Sequence, residues 1–167
     1  MNFLLSRLKN ENQVRNAAQV LHRVPDTDRL LEKLPYRLTG AQLRVWAQIE
    51  EDMSRDVAMN RLVQGDVGSG KTILAFLALL MCAANGRQGC LMAPTEVLAA
   101  QHFEALSGLC KEQDLCIRPV LLTGSTPARE KKRIYQAISE GEYNVIVGTH
   151  ALIQEKVEYR DLSLVVT

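Results

Sequence analysis

Short apolar runs recur along the chain from residue 60 onward, and their starts lie 29, 28 and 27 residues apart. They cover residues 60–64, 89–93, 117–122 and 144–148, and a fifth run covers residues 162–167. This interval fits one strand followed by a crossover helix. Continuous apolar strands are typical of a parallel sheet whose two faces are both covered by helices. The pattern therefore predicts an α/β fold with a parallel sheet and flanking helices.

The segments between these runs carry helix signals. Thr95 is a favourable N-cap before a run of good helix formers. Thr126 and Pro127 open a predicted helix over residues 128–139, which ends near Gly141. The apolar stretch 73–84 predicts a buried helix of about 18 Å, too short for the roughly 30 Å of a membrane core.

Residues 1–58 contain no strand-like run. They predict one helix or a broken pair within residues 3–21 and a second helix over residues 28–34, which Pro35 ends. A third predicted helix covers residues 40–52. We therefore predict a helical arm or linker over residues 1–34 and the α/β unit over residues 35–167.

Composition narrows the class of protein. The 167 residues are 47% apolar and 23% charged, which excludes a generally disordered chain. The chain has 20 basic and 19 acidic residues, so its net charge is close to zero. Any polyanion must therefore be bound by a local arrangement of groups and not by net charge. The four cysteines lack metal-ligand spacing and no secretion signal is present, so we expect a cytoplasmic protein with reduced, buried thiols and no membrane partner.

One segment matches the spacing G-x-x-x-x-G-K-[ST] of a phosphate-binding loop. Glycine lets the backbone turn so that its N–H groups form an anion nest, and the following helix points its positive end at the phosphates. Lys71 would lie at the β- and γ-phosphates, and the Thr72 hydroxyl would bind Mg²⁺. The loop consists of Gly65, Asp66, Val67, Gly68, Ser69, Gly70, Lys71 and Thr72. It predicts a P-loop nucleoside triphosphatase but does not distinguish a motor, a kinase and a GTPase.

Hydroxyl residues and glycines follow the later strands, where ligands of an α/β sheet bind. Three potential anion sites at one edge favour a long polyanion over a single nucleotide. Ordinary capping and turn chemistry is the alternative. These residues are Thr95 after the second run, Thr123, Gly124 and Ser125 after the third, and Gly148 and Thr149 after the fourth.

The ordered strings LTGAQ, GDVGSGKT, APTE, LTGS and VGTH resemble the first motor domain of superfamily 2 helicases. The longer strings QGDVGSGKT, LMAPTEVLAAQH and VIVGTHALIQEKV are most similar to RecG-type ATP-dependent DNA helicases. The resemblance covers about residues 30–167. It implies a RecA-like fold, ATP and Mg²⁺ as cofactors, and a monomeric helicase that remodels branched DNA in repair and recombination.

The same resemblance assigns roles to residues. Gln42 would hydrogen-bond the adenine edge and so select ATP over GTP, and Tyr36 would pack on the ring. The strand-end residues named above would contact sugar and phosphate of branched or single-stranded DNA. The alternatives are an exposed helix residue for Gln42 and a core aromatic for Tyr36. The charged run 129–133 is interpreted as a solvated helix face.

The sequence ends at Thr167, before the Asp-Glu pair that RecG-type helicases carry after this strand, and it includes no second motor domain. The motor domain is then incomplete, and the isolated chain is expected to bind nucleotide weakly at most and to turn over no ATP. Two other functions stay open at this point: a transcription-repair coupling translocase, and a P-loop kinase that acts on a small molecule.

Overall fold

The computed structural model describes residues 20–65, 70–153 and 157–167 of the protein. The helix or helix pair predicted over residues 3–21 therefore lies almost entirely outside the described residues. The described elements, in chain order, are α1 (Pro25–Lys33), α2 (Gly40–Met53), α3 (Lys71–Ala84), β1 (Gln88–Met92), α4 (Glu96–Gln113), β2 (Pro119–Leu122), α5 (Ala128–Glu140), β3 (Val145–Gly148), a 3₁₀ helix (His150–Ile153) and β4 (Leu162–Val166).

The four strands form one parallel sheet in the order β2-β3-β1-β4. Successive residues of β3 point to opposite faces: Val145 and Val147 pack in one core, whereas Ile146 packs in the other. The first core is shared with α1, α2, α3 and α4, and the second with α5 and the 3₁₀ helix. The predicted parallel sheet with flanking helices is confirmed.

Helix starts follow from local sequence. The Thr39 side chain accepts a hydrogen bond from the Gln42 backbone N–H, while the Gln42 side chain accepts one from the Thr39 backbone N–H, which forms a capping box for α2. Thr95 caps α4 through the Leu98 N–H at 3.2 Å. Helix α5 follows Pro127 and stops at a residue with positive φ, as the sequence predicted.

The strand predicted over residues 60–64 is wrong for the described structure, since residues 60–65 belong to no strand there. The Arg61 guanidinium binds Asp52 and Gln48 of α2, with an Nε to Oδ2 distance of 2.8 Å to Asp52. Leu62 is 80% exposed. The segment is therefore held along a helix by side-chain contacts, and its apolar character alone does not place it in the sheet.

Residues 20–34, assigned to a helical arm, pack on the same core as the sheet. Leu30 of α1 is 1% exposed and Leu21 is also buried in this core. The Leu21 backbone N–H donates to the Met53 carbonyl at 3.0 Å. The boundary between residues 34 and 35 stays a prediction. Within the described ranges, no helix combines the length and apolar character needed to cross a bilayer.

A buried amide, that of Gln88 at the start of β1, ties three segments together. Its Nε2 donates to the carbonyls of Ile138 at 2.9 Å and Tyr143 at 2.8 Å. Its Oε1 accepts from the Asp161 backbone N–H at 3.0 Å. These bonds join the end of α5 to the segments that lead into β3 and β4. All polar atoms of this buried side chain are thereby satisfied, as burial requires.

Replacing this amide by an apolar side chain should remove the side-chain partner of the Tyr143 carbonyl and of the Asp161 N–H, whereas the Ile138 carbonyl still accepts from the Gly141 N–H at 3.1 Å. We expect Gln88→Leu to lower the free energy of unfolding by about 3 kcal/mol, because each of the two orphaned groups costs roughly 1–3 kcal/mol. The measurement is urea unfolding followed by circular dichroism. Gln101→Leu, on the exposed side of α4, is the matched control and should change stability by about 0.5 kcal/mol or less. Equal effects of the two substitutions would contradict this account.

Candidate functional site

The two described ends of the glycine-rich loop lie together. Lys71 is the first residue of α3, and its Nζ donates to the Gly65 carbonyl oxygen at 2.6 Å. Gly70, the N-cap of α3, has a φ of 75°. Such a positive φ favours glycine, and the N–H groups that follow carry the positive end of the helix dipole. The segment 66–69 lies outside the described residues, so the roles of Asp66, Val67, Gly68 and Ser69 stay predictions.

Gln42 lies directly beside this loop. A Cβ built on Gly70 would overlap the Gln42 Nε2, so the amide end of Gln42 lies against this loop, and it is the positive φ of Gly70 that favours glycine there. The Gln42 Oε1 accepts the Thr39 N–H at 2.7 Å, and a carbonyl oxygen has a second lone pair for another donor. Gln42 is half-buried at the start of α2. The structure brings together the loop and the residue predicted to recognise adenine.

Tyr36, which precedes α2, and Thr72, in the first turn of α3, are both exposed. Tyr36 is 53% exposed, which excludes the core-aromatic alternative. Thr72 is also exposed. A hydroxyl next to the lysine predicted to bind phosphate suits Mg²⁺, which usually keeps several waters and takes few protein ligands. Among the described residues, no group of three or more His, Cys, Asp or Glu side chains could hold a metal ion by itself.

Three of the four cysteines are buried, as the sequence predicted, but Cys116 is exposed. Burial raises the pKa of the Cys82 and Cys90 thiols to about 12. Both thiols are therefore protonated at neutral pH and behave as small apolar side chains.

The predicted strand-end residues fall into an exposed and a buried group. Parallel pairing places Gly148 at the carboxyl end of β3 and the others just beyond the carboxyl ends of β1, β2 and β3, at one edge of the sheet. Exposed are Thr95, Gly124 and Ser125, whereas Thr123, Gly148 and Thr149 are buried. Gly148 has a packing reason to be glycine, because a Cβ there would overlap the Leu122 carbonyl oxygen.

Glu96, to which the sequence analysis gave no role, joins two of these loops. Its carboxylate accepts from the Ser125 backbone N–H at 2.9 Å and from the Ser125 hydroxyl at 2.6 Å. These bonds, with further contributions from Gly124 N–H and the Lys131 charge, hold the pKa of Glu96 below its ordinary value. The first turn of α4 is thus bonded to the loop that follows β2.

Lys131 was also missed, because the charged run 129–133 was interpreted as a solvated face. Its Nζ donates to the Gly124 carbonyl oxygen at 2.7 Å. The other charged residues of the run are exposed, as predicted. The one sequence signal for the contact of Lys131 with Gly124 is the position of this lysine, in the first turn of a helix that follows a glycine-containing loop.

Comparison with known proteins places the fold and these motifs in a family. Residues 39–167 match the DEAD/DEAH box helicase family. The chain belongs to this family. Its relatives include proteins named ATP-dependent DNA helicase RecG from Aquifex aeolicus (52% identical over 136 residues, 81% of this chain and 17% of that protein) and Bacillus subtilis (48% over 139 residues, 83% and 20%). The chain spans about a fifth of their length.

Solved helicases have the same arrangement of elements. A structure of RecG bound to a three-way DNA junction superposes with a TM-score of 0.84 at 36% identity, covering 97% of this chain and 22% of that one. A hypothetical ATP-dependent RNA helicase from Sulfolobus tokodaii, at 16% identity and a TM-score of 0.56, covers 78% and 35% and shares the fold. The resemblance to RecG-type helicases and the P-loop motor fold inferred from the sequence are confirmed.

Two glycines of this helicase-family domain differ in how much space surrounds them. Substituting each by alanine compares the effect of a crowded backbone contact on stability with the effect of helix propensity. We expect Gly148→Ala to lower the free energy of unfolding by about 2 kcal/mol, because backbone must move to admit the methyl group. Gly108→Ala, within α4 and with no atom near the added Cβ, should instead raise it by about 1 kcal/mol. Thermal and urea unfolding of both variants measure the difference. A Gly148→Ala protein as stable as the wild type would contradict the packing role.

Proposed function

We propose that this chain carries the ATP-binding and part of the DNA-binding surface of an ATP-dependent DNA helicase that remodels branched DNA. The proposal is supported by identities of 52% and 48% to proteins named ATP-dependent DNA helicase RecG. A related RecG structure holds a three-way DNA junction. The transcription-repair coupling and small-molecule kinase alternatives receive no such support. A monomeric state and a cytoplasmic location stay predictions.

The contact of Gln42 with Gly70 is the observation that carries the nucleotide-binding part. It sets an amide able to hydrogen-bond adenine beside the loop that would hold the phosphates. The Lys71 ammonium and the N–H groups at the start of α3 would bind the β- and γ-phosphates. Tyr36, exposed and upstream of α2, would pack on the adenine ring.

Mg²⁺ would be held by the Thr72 hydroxyl together with the phosphates, and it would neutralise the charge that develops during phosphoryl transfer. The chain's own part is to position the triphosphate. Because Lys71 now donates to the Gly65 carbonyl, nucleotide binding exchanges this internal acceptor for phosphate oxygens. The exchange would leave the ammonium group with an acceptor in both states.

For DNA, the proposal assigns direct contacts to the exposed residues Thr95, Gly124 and Ser125. Their backbone N–H and hydroxyl groups suit sugar and phosphate oxygens and carry no base specificity. Thr123, Gly148 and Thr149 would shape the same track from inside, since their side chains or Cα atoms are buried. Base-independent contact suits a motor that must move along any sequence.

The lysine of the loop provides the first test. We expect Lys71→Ala to weaken binding of a fluorescent ATP analogue at least about ten-fold, because a charge-assisted phosphate contact is lost. Fluorescence anisotropy measures the affinity in the presence of Mg²⁺. Lys111→Ala, an exposed lysine in the last turn of α4, is the control and should leave the affinity unchanged. If both variants bind nucleotide equally, the loop is not the phosphate site.

Gln42 provides a test of base selection. We expect Gln42→Ala to reduce the preference for ATP over GTP about ten-fold, because the adenine edge loses its amide partner. Competition of unlabelled ATP and GTP against the fluorescent analogue measures the ratio. The lost capping bond costs about 1 kcal/mol of stability, so the comparison is made well below the melting temperature. An unchanged ratio would remove Gln42 from the adenine site.

A further inference from the structure

The Glu96 carboxylate occupies hydrogen-bond donors that a DNA phosphate would need. Its Oε1 accepts from the Ser125 N–H at 2.9 Å, and its Oε2 accepts from the Ser125 hydroxyl at 2.6 Å. One backbone N–H group and one hydroxyl thus converge on a single carboxylate at the exposed edge of the sheet.

The surroundings of these donors suit an anion. A Cβ on Gly124 would lie 3.0 Å from the Glu96 Oε1, so glycine leaves room for the bound oxygen. The Lys131 Nζ, which donates to the Gly124 carbonyl at 2.7 Å, adds a positive charge beside the site. A backbone N–H and a hydroxyl that point to one place, with a cation nearby, suit a phosphate or a carboxylate.

We propose that Glu96 is an internal competitor for the hydrogen-bond donors of the Gly124–Ser125 loop, which its carboxylate occupies until a backbone phosphate of DNA displaces it. The proposal rests on the DNA-binding function proposed above. Phosphate and carboxylate both accept from the same donors, so DNA enters the site by displacing the carboxylate. Glu96 is exposed at the first turn of α4, where it can be rehydrated after displacement.

This exchange has a consequence for a motor that must release DNA as well as bind it. When a phosphate leaves, the carboxylate returns and the loop donors regain a partner. DNA release therefore leaves no donor unpaired. The competitor therefore lowers the affinity of the loop for DNA.

A purely structural role for Glu96 predicts the opposite sign. If the carboxylate only holds the loop in shape for DNA, then removing it should loosen the loop and weaken DNA binding. If it competes, removing its charge should strengthen binding. The direction of the change in affinity therefore decides between the two roles.

The test measures binding of a fluorescein-labelled oligothymidine to the wild-type chain and to Glu96→Gln by fluorescence anisotropy over a range of salt concentrations. Glu104→Gln, an exposed glutamate of the same helix, controls for the change in net charge. We expect Glu96→Gln to bind about three- to ten-fold more tightly than Glu104→Gln. Its plot of log affinity against log salt should be steeper by about 0.7, the contribution of one phosphate contact on a single strand.

Adding Ser125→Ala to Glu96→Gln should abolish the gain, because the freed hydroxyl is one of the donors. Thermal unfolding of every variant confirms that each is folded. Equal affinities of Glu96→Gln and Glu104→Gln, or weaker binding by Glu96→Gln, would overturn the inference while leaving the DNA-binding function intact. If neither the wild type nor any variant binds the oligonucleotide, the proposed DNA-binding function is wrong, and the inference is wrong as well.

Discussion

Parallel pairing of all four strands is the constraint on which the rest of the structure depends. Because every strand runs in the same direction, the residues that follow β1, β2 and β3 emerge at one edge of the sheet. Such pairing requires crossover connections, and helices pack against both faces of the sheet in two separate cores. The strands then hold the strand-end loops at fixed separations, which is what the proposed contact with a long polyanion would need.

Charged groups of the candidate site are bonded within the protein. Lys71 donates to the Gly65 carbonyl, and Glu96 accepts from Ser125. In the proposed function, binding of nucleotide or DNA at these places would accordingly be an exchange of partners and not a first contact. An exchange gives a smaller net free energy than the sum of the new contacts, because the lost internal bonds are subtracted. Modest affinity of this kind suits a motor that binds and releases its ligands repeatedly.

Most of the helices and three of the strand-end motifs could be predicted from local sequence. Thr95 as an N-cap, the helix after Pro127 and the buried helix after Lys71 all depend on neighbours within a few residues. The strand predicted over residues 60–64 was wrong for a different reason. An apolar run indicates only that a segment is hydrophobic. Whether the segment pairs as a strand also depends on its other contacts, and here Arg61 binds Asp52 of α2 instead.

The sequence by itself determined the family, the α/β class and the position of the phosphate-binding loop, because motif spacing and apolar periodicity are local properties. Only the tertiary structure decided that Gln42 touches Gly70, that Glu96 is bonded to Ser125, and that Gln88 joins three segments. These pairs are separated by about thirty to seventy residues. Their contact depends on how the crossovers arrange the strands, which no local pattern encodes.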